Sequence, residues 1–304
     1  MAKRNKRGRD INGIVLLDKP VGITSNLALQ KVKRLFNANK AGHTGSLDPL
    51  ASGLLPVCLG EATKLSGYLL EADKAYSGVF KLGVTTTTAD AEGDILEQQP
   101  VPEFSENQIT SVLEKFIGSY DQIPPMHSAI KQNGQPLYKL AHQGKEVERK
   151  PRRVTIHSLE LVKLSADEVE VHLRCSKGTY VRTLAEDVGR ELGCGAHLSA
   201  LRRTETGSFN LEQAVTLEQL EKWADSGFEQ LDSVILPMEQ ALSDWPIVDL
   251  SENSAYYLSR GQAVQVPQAP TEGKVCLISQ NRFLGIGEVL EDGRVAPRRL
   301  VKIG

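Results

Sequence analysis

Residues 38–60 restrict the fold more than any other part of the chain, because glycine and proline interrupt every regular pattern there. The interrupting residues are Gly42, Gly45, Pro49, Gly53, Pro56 and Gly60. Glycine and proline mark turns and loops, so a single long helix cannot occupy this segment. We expect a structured loop with short elements, followed by further helices and strands.

The rest of the chain mixes helical and strand patterns in an irregular order. Apolar residues at helical spacing behind polar N-cap residues predict helices, and alternating or short apolar runs predict strands. The predicted strands are 14–18, 76–82, 154–164 and 168–175, and the predicted helices lie behind an N-cap at Ser25, over 61–70, behind capping boxes at Ser105 and Thr216, and over 180–192. The order is not a regular βαβα repeat, which favours an α+β fold.

The 304 residues suffice for one large domain, or for one large and one small domain. Beyond Pro246, short runs containing valine and isoleucine alternate with glycine and proline, which predicts a small β-rich domain. Between residues 124 and 153 the chain is polar and basic, and glycine interrupts it at two positions. We expect an exposed arm there.

The charge is distributed unevenly, although the net charge is only −2. Residues 1–204 carry 28 Lys and Arg against 23 Asp and Glu, whereas residues 205–252 carry 1 against 11. This asymmetry is compatible with a polyanion on one face of the molecule, and equally with solvated acidic helices. No apolar run is long enough for a membrane span, and the basic segment 1–10 is not followed by a signal-peptide core, so we expect a cytoplasmic protein.

Several kinds of site find no support in the sequence. The four cysteines are scattered without a Cys-x-x-Cys pair, so neither a disulfide framework nor a zinc site is indicated. The phosphate-binding loop, the dinucleotide fingerprint, the His-Glu-x-x-His motif and the serine-hydrolase elbow are also absent. A cofactor-free enzyme or a binding protein remains.

Asp48 is the carboxylate with the most unusual surroundings, since it lies in a glycine-bounded loop five residues after His43. One interpretation is structural: Asp before Pro49 is the expected pattern for a helix N-cap with proline at the first helical position. The other is chemical, with a rigidly held carboxylate acting as nucleophile or base in a cleft. Composition alone favours the first.

The segment 175–182 is the second candidate, because it predicts a strand that turns through Gly178 into a helix. The helix N-terminus and Lys177 suit a phosphate, and Arg182 suits a carboxylate partner. An ordinary turn and a solvated arginine explain the same residues. Spacing alone does not connect Arg182 to Asp48.

Four motifs together resemble one family, the TruB family of tRNA pseudouridine synthases, which modify uridine 55 of the T-loop. GHTGSLDPLASG at residues 42–53 is similar to the family's catalytic motif, LDKPVG at 17–22 to its first motif, KGTYVR at 177–182 to its late strand–helix motif, and SAIK at 128–131 to its RNA-gripping insertion. The resemblance runs across at least residues 11–205. VAPRRL at 295–300 resembles the end of the PUA domain that follows in this family.

The resemblance implies an α+β pseudouridine synthase fold with a mixed, largely antiparallel central sheet flanked by helices. It implies a catalytic domain over 1–246 with an RNA-clamping insertion at about 125–152, and a β-rich PUA-like RNA-binding domain over 247–304. The implied partner is tRNA, through its T-loop and stem. No cofactor, metal, membrane or guide RNA is expected, and we expect a monomer.

Carried over residue by residue, the resemblance makes Asp48 the nucleophile and Arg182 its ion-pair partner. Tyr76, also counted as catalytic, and Tyr180 become aromatic contacts of the target base. The remaining substrate-binding positions are His43, Leu201, Lys19 and Lys131. His142 stands where the family usually has arginine, which removes one expected phosphate contact.

Conversion of uridine to pseudouridine breaks the N1–C1′ bond and reattaches the uracil through C5, which requires a carboxylate but no redox agent. The sequence leaves open whether Asp48 attacks C1′, attacks C6 or removes a proton. A catalytically silent RNA-binding protein or tRNA chaperone is the alternative. A glycosidase would need a second carboxylate to activate water, and none is evident near Asp48 in the sequence.

Overall fold

The structure is a computed structural model that describes residues 8–132, 134–141 and 143–302. Its strands are β1 Gly13–Lys19, β2 Ala41–His43, β3 Ser52–Leu59, β4 Lys74–Leu82, β5 Val84–Thr86, β6 Ile95–Gln98, β7 Gly118–Gln122, β8 Lys131–Gln132, β9 Gln135–Pro136, β10 Arg152–Leu164, β11 Glu168–Cys175, β12 Ala196–Thr206, β13 Phe209–Asn210, β14 Val215–Thr216, β15 Ile247–Asp249, β16 Gly273–Ser279, β17 Arg282–Val289 and β18 Val295–Leu300.

The α-helices are α1 Ser25–Leu35, α2 Ser66–Glu71, α3 Glu106–Glu114, α4 Leu137–Ala141, α5 Val181–Leu192, α6 Leu217–Ala224, α7 Phe228–Ser233 and α8 Glu252–Ser259. Short 3₁₀ helices cover Gly60–Lys64, Leu211–Gln213 and Met238–Leu242. Among the described residues, no helix combines the length and the hydropathy needed to cross a membrane.

A ten-stranded sheet forms the body of the molecule, in the order β14-β1-β3-β12-β4-β11-β10-β7, with β2 beside β3 and β13 beside β12. Two of these pairings are parallel, β1 with β14 and β3 with β12, and the others are antiparallel. The expected mixed, largely antiparallel sheet is therefore confirmed.

Helices cover the sheet and bury its apolar side chains. The alternating residues Val169, Val171 and Leu173 of β11 pack with α3 and α5 in one core, which also contains Leu184 and Val188. A second core lies under α1, α6 and α7, against β1 and β3. The α+β class predicted from the irregular order of elements is confirmed.

The expectation of a loop over residues 38–60 is wrong in its second half, because β3 lies near the centre of the main sheet. Leu54, Leu55 and Val57 have no exposed surface, so this apolar run is a strand buried on both faces. Pro56 is tolerated inside it, and its carbonyl oxygen accepts a hydrogen bond from the Thr44 N–H group at 3.2 Å. Proline was a misleading signal here.

Three local predictions also need correction. No helix follows Asp48: Pro49 begins a turn in which the Ala51 N–H group donates to the Asp48 carbonyl at 3.1 Å, so the N-cap interpretation is wrong. The helix predicted over 61–70 is divided at Leu65 into a 3₁₀ helix and α2. The N-cap of α1 is Thr24 rather than Ser25.

The C-terminal part is a four-stranded sheet, β15-β16-β17-β18, with α8 packed beside it. An apolar cluster joins it to the body of the molecule, since Leu65 and Leu242 pack with Phe283, Ile286 and Val301. Across this junction, Lys64 Nζ also donates to the Leu300 carbonyl at 2.9 Å. The division at 246/247 stays a prediction.

The predicted arm contains the two-stranded β8-β9 hairpin and the short helix α4. Its helix ends next to His142, so the predicted effect of that residue lies outside the described residues. Most of the basic segment 1–10 lies outside them too. Arg9 is described and forms an ion pair with Asp232, with its guanidinium 4.1 Å from the centre of the Phe228 ring.

Candidate active site

Asp48 lies in the loop between β2 and β3, and this loop is closely held by its neighbours. The carbonyl of Pro49 accepts a hydrogen bond from the Gly22 N–H group at 2.8 Å. Leu47, on the other side of Asp48, is 5% exposed and anchors the loop in the interior. The Asp48 side chain itself remains 45% exposed, so the carboxylate is fixed yet accessible.

Arg182, in the first turn of α5, contacts Asp48 directly. Its Nε atom lies 3.1 Å from Asp48 Oδ2, and its Nη1 atom lies 3.2 Å from Oδ2 of a second carboxylate, Asp90. The same guanidinium donates to the carbonyl oxygens of Thr88 at 3.1 Å and His127 at 2.9 Å. The structure thus brings together the two residues that spacing alone did not connect.

The sequence analysis did not identify Asp90. In the structure this residue is only 2% exposed. Its Oδ1 atom accepts from the Thr88 hydroxyl and, at 3.1 Å, from the Glu92 N–H group, while Oδ2 faces Arg182. The signal was ambiguous, because an aspartate in a threonine-rich turn is ordinarily a turn residue. No second carboxylate is close to Asp48 in the sequence, as expected. In the structure, however, Asp90 contacts the same guanidinium as Asp48.

The electrostatics of Asp48 combine opposing effects. Burial raises the pKa of the Asp48 carboxyl above its usual value, and the Arg182 guanidinium acts in the opposite direction. The negative charge of Asp90 raises this pKa further, whereas Lys19 and His127 lower it. Arg182 therefore favours the ionised form of the Asp48 carboxyl against the cost of desolvation.

Tyr76 and Leu201 lie on neighbouring strands of the sheet, β4 and β12. In the register of these strands Tyr76 is opposite Arg203 and Leu201 is opposite Gly78. Burial raises the pKa of the Tyr76 hydroxyl, which lies beside the Arg203 guanidinium. Both Tyr76 and Leu201 are half-buried against the main core.

A cavity of about 620 Å³ opens next to the Asp48 loop. Its walls include Pro49 and Leu50 from that loop, Gly78 from β4 and Leu201 from β12. The small Gly78 leaves room opposite Leu201, whose Cδ1 atom would lie 3.5 Å from an added Cβ. The volume is sufficient for a nucleobase.

Arg203, also missed by the sequence analysis, supports this wall from inside. It is 1% exposed, and its Nε atom donates to the Leu54 carbonyl at 2.7 Å and its Nη2 atom to the Gly45 carbonyl at 3.1 Å. It therefore links the start of the Asp48 loop to β3. A buried arginine has no recognisable sequence signal, since most arginines are exposed.

Tyr180 is the N-cap residue of α5, two positions before Arg182. Its backbone is fixed by the side chain of Gln122, which accepts from the Tyr180 N–H group at 2.8 Å and donates to the Tyr180 carbonyl at 3.1 Å. Burial raises the pKa of the Tyr180 hydroxyl, and Asp48 and Arg182 lie within electrostatic range of it. The structure brings Tyr180 into the same region as Asp48.

His43 lies on β2, with its Nδ1 atom buried and, among the described residues, without a hydrogen-bond partner. Burial lowers the pKa of the His43 imidazole, and the charge of Arg203 acts in the same direction. A neutral imidazole is favoured. His43 thus lies at the beginning of the Asp48 loop as a half-buried group.

The two predicted lysines occupy very different environments. Lys19 has no exposed surface, and its ammonium group donates to the carbonyls of Pro20 at 2.8 Å and Ile23 at 2.7 Å. Burial lowers the pKa of Lys19 to about 8. Lys131 is exposed on the β8-β9 hairpin. Their predicted substrate contacts stay predictions.

No group of three or more His, Cys, Asp or Glu residues within the described part of the chain is arranged to hold a metal ion. The four cysteines are buried free thiols. Asp48 and Asp90 instead share the guanidinium of Arg182.

Chains of two solved complexes share this fold. The chain matches a chain of a Cbf5–Nop10–Gar1 complex with a TM-score of 0.72 and 27% identity, over 96% of this chain and 84% of that one. It also matches a chain of an H/ACA RNP bound to a substrate RNA containing 2′-deoxyuridine, with a TM-score of 0.73 and 24% identity, over 99% of this chain and 92% of that one. The second likeness concerns the fold alone.

The family models are more specific. Residues 33–181 match the N-terminal domain of the TruB family pseudouridylate synthases, residues 182–243 match the tRNA pseudouridylate synthase B C-terminal domain, and residues 246–301 match the C-terminal domain of pseudouridine synthase II TruB. The fold is thus that of the pseudouridine synthases, with a PUA-like domain at its C-terminal end.

Full-length relatives extend this result. The chain is 58% identical to tRNA pseudouridine synthase B of Nitrosococcus oceani over 98% of this chain and 97% of that protein, and 58% identical to the protein of the same name from Stutzerimonas stutzeri over 99% of both. The chain belongs to the TruB family.

Proposed function

We propose that this protein isomerises a uridine of tRNA to pseudouridine, with Asp48 as the catalytic carboxylate. The observation that carries the proposal is the contact between Asp48 and Arg182, next to a cavity that is large enough for a nucleobase and is lined by Pro49 and Leu50 of the same loop. Full-length relatives named tRNA pseudouridine synthase B support the same activity and substrate.

The reaction balances without any external reagent. The N1–C1′ bond breaks, the uracil turns, and a new C5–C1′ bond forms; C5 then loses its proton and N1 gains one. Asp48 serves as nucleophile or base in the three routes that remain open: attack at C1′, attack at C6, or proton abstraction. In all three the carboxylate must start ionised, which the guanidinium of Arg182 favours.

The target base must leave the RNA stack to reach Asp48, and we propose that it is the T-loop uridine at position 55. Flipping a base costs a few kcal/mol, and stacking on an aromatic ring returns about 1–3 kcal/mol. Tyr76 is positioned to provide that ring, because it is half-buried and lies within electrostatic range of Asp48. Leu201 lines the adjoining cavity.

Two further carboxylates lie near Asp48. Glu92 is exposed in the cavity wall and within electrostatic range of Asp48, so release of free uracil is the measurement that separates an isomerase from a hydrolytic glycosidase. Asp90 does not suit the role of a general base. Asp90 is buried, and both of its oxygens already have protein partners: Thr88 and Glu92 at one, Arg182 at the other. A general base for water needs a free, accessible oxygen. We therefore assign Asp90 to holding Arg182.

Tritium release tests the proposal. A T-loop RNA labelled with tritium at uracil C5 would be incubated with the wild-type protein, with Asp48→Asn, and with Asp225→Asn as a matched exposed control at the end of α6. We expect release by the wild type and by Asp225→Asn but not by Asp48→Asn, and no free uracil.

The same experiment distinguishes the alternatives. RNA binding without tritium release by any variant would contradict the proposal and favour a catalytically silent RNA-binding protein or tRNA chaperone. Release of free uracil would indicate a glycosidase. Retained release by Asp48→Asn would remove Asp48 from the chemistry.

We further propose that the chain acts as a cytoplasmic monomer without a guide RNA. The chain matches relatives named tRNA pseudouridine synthase B over 97% and 99% of their length, and that name mentions tRNA alone, which supports action without a guide RNA. Light scattering during gel filtration and activity of nuclease-treated protein on added tRNA would test it. A dimer, or activity lost with the nuclease treatment, would contradict it.

A further inference from the structure

The backbone on both sides of Asp48 is held by one short segment, residues 22–25, which consists of the turn after β1 and the first residue of α1. On the carboxyl side, the Gly22 N–H group donates to the Pro49 carbonyl at 2.8 Å. On the amino side, the Ser25 hydroxyl accepts from the Leu47 N–H group at 2.7 Å and donates to the Leu47 carbonyl at 3.0 Å. That carbonyl belongs to the peptide bond between Leu47 and Asp48.

Ser25 occupies a position from which it cannot act on substrate. It is 3% exposed, as the first residue of α1, and its polar contacts are made inside the protein. Its hydroxyl therefore affects the reaction only through the peptide to which it is bonded. The turn that precedes Ser25 is fixed by the buried Lys19, whose ammonium group donates to the carbonyls of Pro20 and Ile23.

We propose that Ser25 is a positioning residue for Asp48, so that loss of its hydroxyl lowers kcat without weakening RNA binding. The proposal rests on the proposed function of Asp48. Without the hydroxyl, the N–H and carbonyl groups of Leu47 both lose their hydrogen bonds to Ser25. The Asp48 backbone can then shift relative to Arg182. A displacement of about 1 Å in a catalytic group can cost about 100-fold in rate.

Thr24 offers a matched control at the adjacent position. Its hydroxyl caps the same helix by accepting from the Leu27 N–H group at 3.1 Å. Thr24→Ala therefore weakens α1 but leaves the bonds to Leu47 in place. A rate loss caused merely by a destabilised helix would appear in both variants.

The experiment measures single-turnover tritium release, RNA affinity by filter binding and the melting temperature for wild type, Ser25→Ala, Thr24→Ala and Asp48→Asn. For Ser25→Ala we expect a rate about 10- to 100-fold lower, with an affinity within about twofold of wild type. For Thr24→Ala we expect the wild-type rate at temperatures well below melting.

The pH profile provides a readout that a general loss of stability would not change. The charged groups within range of the Asp48 carboxylate are Arg182, Lys19 and His127, which favour its ionised form, and Asp90 and Glu92, which oppose it. In the wild type, Asp48 Oδ2 lies 3.1 Å from Arg182 Nε. Displacement of Asp48 from this guanidinium weakens the interaction that lowers the Asp48 pKa most. The acidic limb of the rate profile should therefore move to higher pH in Ser25→Ala.

The role of Ser25 would be overturned by an unchanged rate in Ser25→Ala, or by equal slowing of Ser25→Ala and Thr24→Ala with an unshifted pH profile. Either result would leave the proposed function of Asp48 intact. Slowing that appears entirely as weaker RNA binding would overturn the role of Ser25 as well. A wild-type protein that releases no tritium would instead overturn the proposed function, and the role of Ser25 with it.

Discussion

Arg182 lies between two carboxylates, and their unequal exposure gives them different roles. Asp90 is 2% exposed and satisfied by protein donors, whereas the Asp48 side chain is 45% exposed at the cavity. A buried carboxylate next to a buried guanidinium is favourable only when both are fully paired. Asp90 therefore fixes the guanidinium in place, and Asp48 is the more accessible of the two carboxylates, which fits the reactive role proposed for it.

Replacement of Asp90 by asparagine should slow the reaction by about 10- to 100-fold, because Arg182 loses the buried charge that orients it. RNA affinity should stay within about twofold, since Asp90 has almost no exposed surface. Single-turnover tritium release measures the effect. Asp167→Asn is the control, because Asp167 is paired with Lys81 at a half-exposed site. A wild-type rate in Asp90→Asn would contradict this role.

The rate should fall as the pH drops through the pKa of Asp48, because only the carboxylate form reacts. That pKa is raised above the usual value for aspartate, mainly by burial, so activity should be lost at a higher pH than for an exposed aspartate. Asp90→Asn removes a neighbouring negative charge, which should move this acidic limb to lower pH while Arg182 keeps its contact with Asp48. A shift to higher pH would show that Arg182 has moved away from Asp48, and an unchanged limb would show that another group controls it.

At the scale of elements, the pairing of β3 with β12 depends on a glycine. Gly53 has φ +99°, and an added Cβ would lie 2.3 Å from the Arg203 carbonyl oxygen. No side chain fits there without separating the two strands. This contact lets β3 approach β12 directly after the Asp48 loop.

Gly53→Ala should lower the free energy of unfolding by about 3 kcal/mol or more, through backbone strain and steric overlap. Gly67→Ala is the opposite case, because Gly67 lies in α2 with no atom within 4 Å of an added Cβ. That variant should be stabilised by about 0.5–1 kcal/mol. Urea unfolding of both proteins measures the difference. Equal stabilities would contradict the structure around Gly53.

Elements with local signals were predictable from the sequence. The capping boxes Ser105–Gln108 and Thr216–Gln219 are present as predicted, because each depends on residues three positions apart. The contact of Arg182 with Asp90 was not predictable from spacing, because tertiary structure alone brings these distant residues together. Strand β3 was missed because proline is ordinarily a sign against a central strand. Asp48 and Arg182 were candidates from their local sequence, whereas their pairing and the role of Tyr76 entered the predicted site through the family resemblance.

At the scale of the whole molecule, the C-terminal sheet shares an apolar cluster with the catalytic body. Phe283 and Ile286 of β17 pack there with Leu65, which precedes α2. The Tyr68 and Trp245 rings, 5.2 Å apart in an edge-to-face arrangement, lie beside the same cluster. Neither part can separate without exposing apolar surface to water.

The two parts should therefore unfold together, in one calorimetric transition. Phe283→Ala should lower the free energy of unfolding by about 3–5 kcal/mol, because it leaves a cavity in the shared cluster. Tyr257→Ala is the control, since Tyr257 is 50% exposed on α8. Two separate transitions in the wild type would contradict this coupling.

The shared cluster also bears on which RNAs can be substrates. If the C-terminal sheet binds one part of the tRNA while Asp48 acts on another, the shared cluster fixes the distance between these two contacts. Selection then depends on how many base pairs lie between the two contacts as well as on the sequence of the loop. An RNA with a correct loop on a stem one or two pairs too short would be a poor substrate, for geometrical reasons alone.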